Sequence, residues 1–240
     1  MRAIILSAGI GSRIRPLTDN TPKSLLKVGN KTILLRMVEN ILEVGIKDIA
    51  IVTGYLEDQI KEYIKKNFPN TKFNFIRNDK YETTNTGYSL MLTKNFAKGG
   101  SFIKFDADVV FEKKVLEKLF KSPHSSCLCI DKNIHLDAEE VKVITDPNDK
   151  VIAVGKKLDP QKAKGESIGI EKIDAAAGKI LFEELKQLMQ EKANYNEYYD
   201  DSYTTLVEKG IPFHAVDITG LKWVEIDTHE DYQKAQELFF

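Results

Sequence analysis

The chain has 240 residues, 42% of them hydrophobic, enough to bury a sizeable core within one large domain. Its 35 basic and 36 acidic residues leave a net charge of −1, so no field draws in nucleic acid or an anionic membrane. Only Arg2 precedes a short apolar run, so neither a signal peptide nor a membrane span is expected there. Strands are expected over 2–7, 48–53, 71–77, 101–106 and 125–130, where residues are apolar or β-branched. Between them Leu34, Met37, Val38, Ile41 and Leu42 recur at helical spacing, as do Ile60, Ile64 and Phe68, and then Val115, Leu116 and Leu119. This βαβα order predicts an α/β fold: a Rossmann-like open mixed sheet, mostly parallel, with helices on both faces. Ligands then sit at the carboxyl ends of the strands. Cys127 and Cys129 share one face of a strand as small core residues, too close to bridge and lacking a second pair for zinc. That usage fits a reducing cytoplasm.

The second half reads differently. Residues 141–145 and 151–154 form a hairpin around a four-residue turn, and 167–173 is a further strand. Helices are expected over 175–191 and 197–208, a strand over 211–216 and a closing helix over 228–238. The expectation is a single domain, 1–240, with a small β-rich insert in its second half. Its halves are 1–130 and 131–240.

Chemistry begins at Leu6-Ser7-Ala8-Gly9-Ile10-Gly11-Ser12-Arg13, followed by Pro16, Thr18 and Pro22-Lys23. A strand feeding a Gly-rich turn exposes backbone N–H groups to a phosphate, because Gly has no Cβ to block the approach. Arg13 adds a permanently charged fork and Lys23 a point-like cation. A Walker A loop is excluded, since no Lys-Ser or Lys-Thr follows Gly11. A dinucleotide fingerprint is excluded too, because Ile14 stands where a third small residue belongs. The loop is therefore read as a polyphosphate cradle. Asp106 and Asp108 leave one face at a strand's end, a natural place for Mg²⁺ near a phosphate loop.

The pattern G-x-G-x-R-x-x-P-x-T followed by P-K resembles that of the nucleotidyltransferases that activate sugar-1-phosphates and choline phosphate. The resemblance continues through Asn85-Thr86-Gly87-Tyr88-Ser89-Leu90, Phe105-Asp106-Ala107-Asp108-Val109-Val110-Phe111 and Trp223-Val224-Glu225-Ile226-Asp227. It spans nearly the whole chain and points to a cytidylyl-transferring branch. It implies that Asp108 and Asp227 hold the metal, with Asp106 or Glu225 as neighbours whose part stays open. It implies a catalytic set of Arg13, Lys23, Asp108 and Asp227. Leu6, Ala8, Gly9, Gly11, Ser12, Arg13, Asn78, Asn85, Gly87 and Ser89 would bind nucleotide, with Tyr55 a weaker wall of that pocket. Backbone groups around Leu6, Ala8 and Gly87 would read the pyrimidine. Asn and Ser residues in this stretch also suit helix caps. Glu166, Ser167 and Gly169 would floor the acceptor site together with Lys23.

Tyr198-Tyr199-Asp200-Asp201 places aromatics beside acids. It is either a solvated acidic helix start or a pocket for a cationic acceptor head, contacted by Tyr198 and by Asp200 or Asp201. Asp227 could equally be a turn residue ahead of a Thr228–Asp231 capping box. His124, His135, His214 and His229 are scattered and receive no role. The implied activity is Mg²⁺-dependent transfer of CMP from CTP to a small phosphate or phosphonate acceptor, with phosphocholine and 2-aminoethylphosphonate leading. Inositol-1-phosphate or a hexose-1-phosphate, with CTP, UTP or GTP, is the alternative. A non-catalytic nucleotide sensor is the alternative of another class, and a homo-oligomer stays open.

Overall fold

Ala3 and Ile5 leave the first strand on one face and Ile4 and Leu6 on the other, and all four are buried. A strand buried on both faces reads as a continuous apolar run rather than an alternating one. The computed structural model describes residues 1–133, 136, 139–191 and 194–240, so His135 lies outside the described residues.

The first half runs β1 (Arg2–Ser7), β2 (Lys27–Val28), β3 (Lys31–Thr32), α1 (Ile33–Glu43), β4 (Ile49–Thr53), α2 (Glu57–Asn67) and β5 (Phe73–Arg77). Then come α3 (Thr86–Leu92), α4 (Lys94–Ala97), β6 (Phe102–Asp106), β7 (Val109–Phe111), α5 (Lys114–Lys121) and β8 (Cys127–Asp131). The second half holds β9 (Lys142–Thr145), β10 (Val151–Gly155), β11 (Gly165–Ile173), α6 (Ala175–Lys186), α7 (Asp200–Glu208), β12 (His214–Asp217), β13 (Trp223–Glu225) and α8 (His229–Phe239).

The main sheet has the order β10-β9-β11-β6-β1-β4-β5, with β8 pairing β11 and β12. β1, β4, β5 and β6 are parallel, and β11 runs antiparallel to β6, β8 and β9. The sheet is thus mixed, and β11 carries it from the first half into the second. One face buries Leu34, Met37, Ile41, Ile60, Ile64, Val115 and Leu119 of α1, α2 and α5 against Ala3, Ile5 and Phe105. The other packs Leu90, Leu181, Leu185 and Leu206 of α3, α6 and α7 against Ile4, Leu6 and Leu128. Cys127 and Cys129 are free, buried thiols in the first of these cores. No helix among the described residues is long and apolar enough to cross a membrane.

The expected boundaries shift by three residues or more in three places. The helix expected to 191 is α-helical to Lys186 and closes in a π-helical turn, Gln187–Glu191. The helix expected from 197 begins at Asp200, so Tyr198 and Tyr199 stay outside it. The strand expected over 211–216 begins at His214, beyond Pro212, which has no N–H for a ladder. The 146–149 turn is held by Asp146, whose carboxylate accepts from Asn148 N and Lys150 N at 2.8 and 2.9 Å.

Candidate active site

The phosphate-type loop leaves β1 at its carboxyl end. Gly9 faces open space where a Cβ would stand. Gly11 has φ +68 and precedes a single 3-10 turn, Ser12–Ile14. A Cβ on Gly11 would come within 3.2 Å of Lys23 Cβ and of Thr18 Cγ2, a tight fit at a left-handed φ that favours glycine. The Thr18 hydroxyl donates to the Gly11 carbonyl at 2.7 Å, and the Ser7 hydroxyl to that of Ser24 at 2.8 Å. The second bond ties the Lys23 turn to the end of β1. Ile14 is fully buried against a third small core containing Val110, Val224 and Ile226. The bulky residue that excluded a dinucleotide loop instead anchors this loop to the strands bearing the carboxylates.

Those strands are β7 and β13, paired antiparallel with Val110 opposite Val224 and Val109 opposite Glu225. Ile226 N donates to Asp108 O at 3.1 Å, which sets Asp108 beside Asp227. The capping box at the start of α8 is present as well: Asp231 Oδ2 accepts from Thr228 N at 2.8 Å and from Asp227 N at 3.1 Å. Asp227 thus takes the helix-start position with its backbone, and this leaves its carboxylate free to face the cleft.

Lys23 Nζ lies 2.8 Å from Asp108 Oδ2 and 2.6 Å from Asp227 Oδ1. Arg13 Nη2 lies 2.6 Å from Asp227 Oδ2, and Nη1 3.4 Å from Glu139 Oε2. Burial pushes the Asp227 pKa up, but Lys23 and Arg13 outweigh it and hold the carboxyl below its usual range. Burial likewise opposes the charge on Lys23, and the two aspartates outweigh it and raise its pKa. Glu225 joins them: one oxygen from each of Asp108, Glu225 and Asp227 lies within 4.8 Å of the others. Burial, then the neighbouring Asp108 and Asp227, push Glu225 well above the usual carboxylate range. Asp108 Oδ1 is buried without a hydrogen-bond donor among the described residues. Three converging carboxylates with an unsatisfied oxygen fit a hard divalent cation.

These groups open onto a cleft of about 800 Å³. Leu6, Gly9, Gly11, Ser12, Arg13, Lys23, Asn85, Asp108, Glu166, Ser167, Gly169, Tyr198, Asp200 and Asp227 all line it. A side recess of about 90 Å³ adds Ala8, Asn78 and Ser89, with Tyr81 and Thr84. Asn78 holds this recess together: its amide donates to Thr84 and Ser89 at 3.1 Å each and its Oδ1 accepts from Lys80 N at 2.9 Å.

Three expected residues line neither space. The Tyr55 hydroxyl donates to the Thr18 and Asp19 carbonyls at 3.0 and 2.7 Å, bracing the loop from outside. Gly87 N donates to Glu197 O at 3.3 Å, and a Cβ there would stand 2.8 Å from that oxygen, so this glycine serves chain packing. Asp201 is exposed, with its Oδ1 beside Gly155 at the end of β10. The Leu6 and Ala8 carbonyls already accept from Ala107 N and Tyr55 N. The histidines are less scattered in space than in sequence: the rings of His124 and His214 stack with centroids 3.5 Å apart, and His229 Nε2 hydrogen-bonds Arg15 O at 2.8 Å.

At the far end, Gly169 has φ +72 and interrupts the β11 ladder. A glycine in a strand suggested a close-lying ligand, but the close neighbour is Asp106, whose Oδ2 would stand 2.5 Å from a Cβ at 169. Asp106 is not turned to solvent. It accepts the Tyr199 hydroxyl and pairs with Lys104 Nζ at 2.8 Å. Lys104 is fully buried, pairs with Glu171 at 2.8 Å, donates to Gly169 O at 3.2 Å and sits 3.7 Å from the Tyr199 ring centroid. Burial, with Asp106 against Lys104, lifts Asp200 to about 7. Burial, then Glu140 and Asp131, lift Glu166 to about 8. Lys104 went unnoticed in the sequence, although a lysine inside the apolar Phe102-Ile103-Phe105 run was its signal. Lys156 and Asp131, whose Oδ2 accepts the Trp223 indole N–H at 2.8 Å, also line the cleft without such a signal.

Residues 2–158 match the family model described as Nucleotidyl transferase. The chain is 31% identical to the CTP:phosphoglutamine cytidylyltransferase of Campylobacter jejuni, covering 97% of this chain and 98% of that one. It is 30% identical, over 98% of its length, to the bifunctional IPC transferase and DIPP synthase of Aquifex aeolicus, of which it spans about half, 51%. The solved CTP:phosphocholine cytidylyltransferase from Streptococcus pneumoniae has a TM-score of 0.80 and 27% identity, covering 100% of this chain and 99% of that one. With the family model matching residues 2–158, well over half of its length, the chain belongs to the nucleotidyl transferase family.

Proposed function

We propose that the chain transfers CMP from CTP to a small phosphate- or phosphonate-bearing acceptor and releases pyrophosphate, with Mg²⁺ and with an aminated acceptor such as phosphocholine or 2-aminoethylphosphonate. The observation that carries this reading is Lys23 held between Asp108 and Asp227, with Arg13 on the second. The base rests on the relatives above being named for CTP.

An acceptor phosphate is largely a dianion at pH 7, so it is already a nucleophile and needs no general base. Its oxygen forms a bond to the α-phosphorus, and the bond from that phosphorus to the bridging oxygen breaks, with the electron pair leaving on pyrophosphate. The obstacle is the approach of two anions. Lys23 offsets the charge of the acceptor phosphate and the charge that grows during transfer. Arg13 and the amides of Gly9–Ser12 hold the departing pyrophosphate. A divalent cation, held by Asp108 and Asp227 with Glu225 beside them, would neutralise and orient the α-phosphate. Asn85, Ser89 and Asn78 wall the recess proposed for the base and ribose.

The test is pyrophosphate release measured for four nucleoside triphosphates against a panel of phosphate and phosphonate acceptors. Release with CTP that requires an acceptor is expected. A preference for UTP or GTP with a hexose-1-phosphate overturns the cytidylyl reading, and nucleotide binding without release under any pairing turns the protein into a sensor.

A further inference from the structure

Lys104 is fully buried in β6, does not line the cleft, and takes no part in the transfer chemistry above. It interrupts the apolar run Phe102-Ile103-Lys104-Phe105 and stands directly opposite Glu171 of β11, which is also fully buried. Stability does not explain the pair. Taking an ammonium and a carboxylate out of water costs about as much as their attraction returns, and well-packed apolar side chains in their place are often neutral or stabilising. What the ammonium has instead is a full set of partners. Its three N–H groups reach Asp106 Oδ2 at 2.8 Å, the Gly169 carbonyl at 3.2 Å and the Tyr199 hydroxyl, with Glu171 Oε2 2.8 Å away as its ion pair. The Tyr199 hydroxyl donates in turn to Asp106, which closes a triangle. Burial opposes the charge on Lys104, and Asp106, Glu171 and Asp200 outweigh it and raise its pKa, so the ammonium keeps all its donors.

The groups it holds come from separate elements. Asp106 ends β6, Gly169 lies at φ +72 where β11 slips register against β8, and Tyr199 immediately precedes α7. All three line the cleft. We infer that Lys104 is a positioning residue for the acceptor: from behind the wall its ammonium fixes Asp106, the Gly169 bulge and Tyr199 relative to one another. The inference rests on the transfer reading above, in which this end of the cleft takes the acceptor. None of these partners belongs to the Gly9–Lys23 loop or to Asn78, Asn85 and Ser89 of the recess. Asp108, two residues beyond Asp106, has its own anchors in Ile226 N and Lys23. Losing Lys104 should therefore loosen the acceptor's seat and spare the nucleotide's.

The test is Lys104→Met/Glu171→Met, which removes the buried ion pair as a unit and leaves Asp106, Gly169 and Tyr199 in place. Pyrophosphate release is measured with CTP and Mg²⁺ against phosphocholine, 2-aminoethylphosphonate and inositol-1-phosphate, taking the acceptor that the wild type uses best. KM for that acceptor should rise about tenfold, the weight of one hydrogen-bonded placement. KM for CTP should stay within about twofold of wild type, and the Tm should stay close to it, since the pair leaves no charge stranded. An unchanged acceptor KM, a rise shared equally by both substrates, or a double variant that does not fold makes Lys104 a structural residue only and overturns the inference while the transfer reading stands. No release by the wild type with CTP and any of the three acceptors overturns both.

Discussion

Replacing Lys23 with Met keeps the aliphatic stem and deletes the one ammonium between Asp108 and Asp227. At 2.6 and 2.8 Å, with side chains 13% to 26% exposed, each pair sits in a medium of effective dielectric near 20. Coulomb's law gives about 6 kcal/mol of attraction for each, before the desolvation that burying them required. The measurable quantity is the cost of leaving the carboxylates without their cation, about 3–5 kcal/mol for a buried pair and nearer 3 here given the partial exposure. In a chain of this size that is a fall in Tm of roughly 6–12 °C. The assay is thermal unfolding at pH 8 in a chelator, repeated with saturating Mg²⁺. Because Asp108, Glu225 and Asp227 form the proposed cation site, Mg²⁺ should raise the Tm of the variant more than that of the wild type. Turnover should fall by about 10²–10³-fold, the size of one lost transition-state charge contact. A variant as stable as wild type in chelator, or Mg²⁺ stabilisation that is no larger in the variant, refutes the electrostatic account of this centre.

Asp108→Asn and Asp227→Asn should each give a folded protein with turnover at least about 100-fold down, checked by circular dichroism beside pyrophosphate release; full activity in Asp227→Asn would leave that residue only its place at the start of α8. Arg13→Ala should raise KM for CTP by about tenfold, since a half-exposed fork on the phosphates is lost, and titration calorimetry with CTP would show an unchanged affinity if the loop amides suffice. Glu166→Gln should stabilise the protein in a pH-dependent way. Its folded pKa of about 8 lies above the ordinary value near 4.5, so the fold holds a proton that the unfolded chain releases. Wild-type stability then falls as pH rises from about 5 to 8 by an amount on the order of a few kcal/mol that the variant does not lose. A Tm difference that stays constant across that range would contradict the assignment.

Local chemistry made most of the nucleotide side legible. The parallel strands announce themselves as apolar runs, and Gly9, Gly11, Arg13 and Lys23 can be found because a phosphate loop is continuous in sequence. Even Ile14, read there only as an exclusion, proves to be the loop's anchor. What stayed hidden depends on pairings between distant segments. Glu225, two residues before Asp227, is legible as a candidate neighbour of the metal pair, but the β7–β13 register that sets it beside Asp108 is not written in any periodicity. Tyr55 looks like a pocket wall until the chain folds its hydroxyl back onto Thr18 and Asp19. Gly87 and Gly169 each meet a neighbour from elsewhere in this chain, Glu197 O and Asp106, where sequence alone suggested a ligand.

The cleft's two ends carry the same residue type in opposite electrostatic conditions. At the β7–β13 end, Lys23 and Arg13 outweigh burial and hold Asp227 ionised, so two fixed cations stand there to meet a phosphate. At the β11–α7 end, burial dominates, and Asp200 and Glu166 are lifted toward neutral pH with too few cations to balance them. An acceptor that is anionic at one end and cationic at the other matches this gradient in one orientation only. Turned round, its phosphate would face Asp200 and Asp106 and its ammonium would face Arg13 and Lys23, two repulsions in place of two attractions. The charge layout would thus select the end of the acceptor that meets the nucleotide, before any contact with the reacting atoms is made.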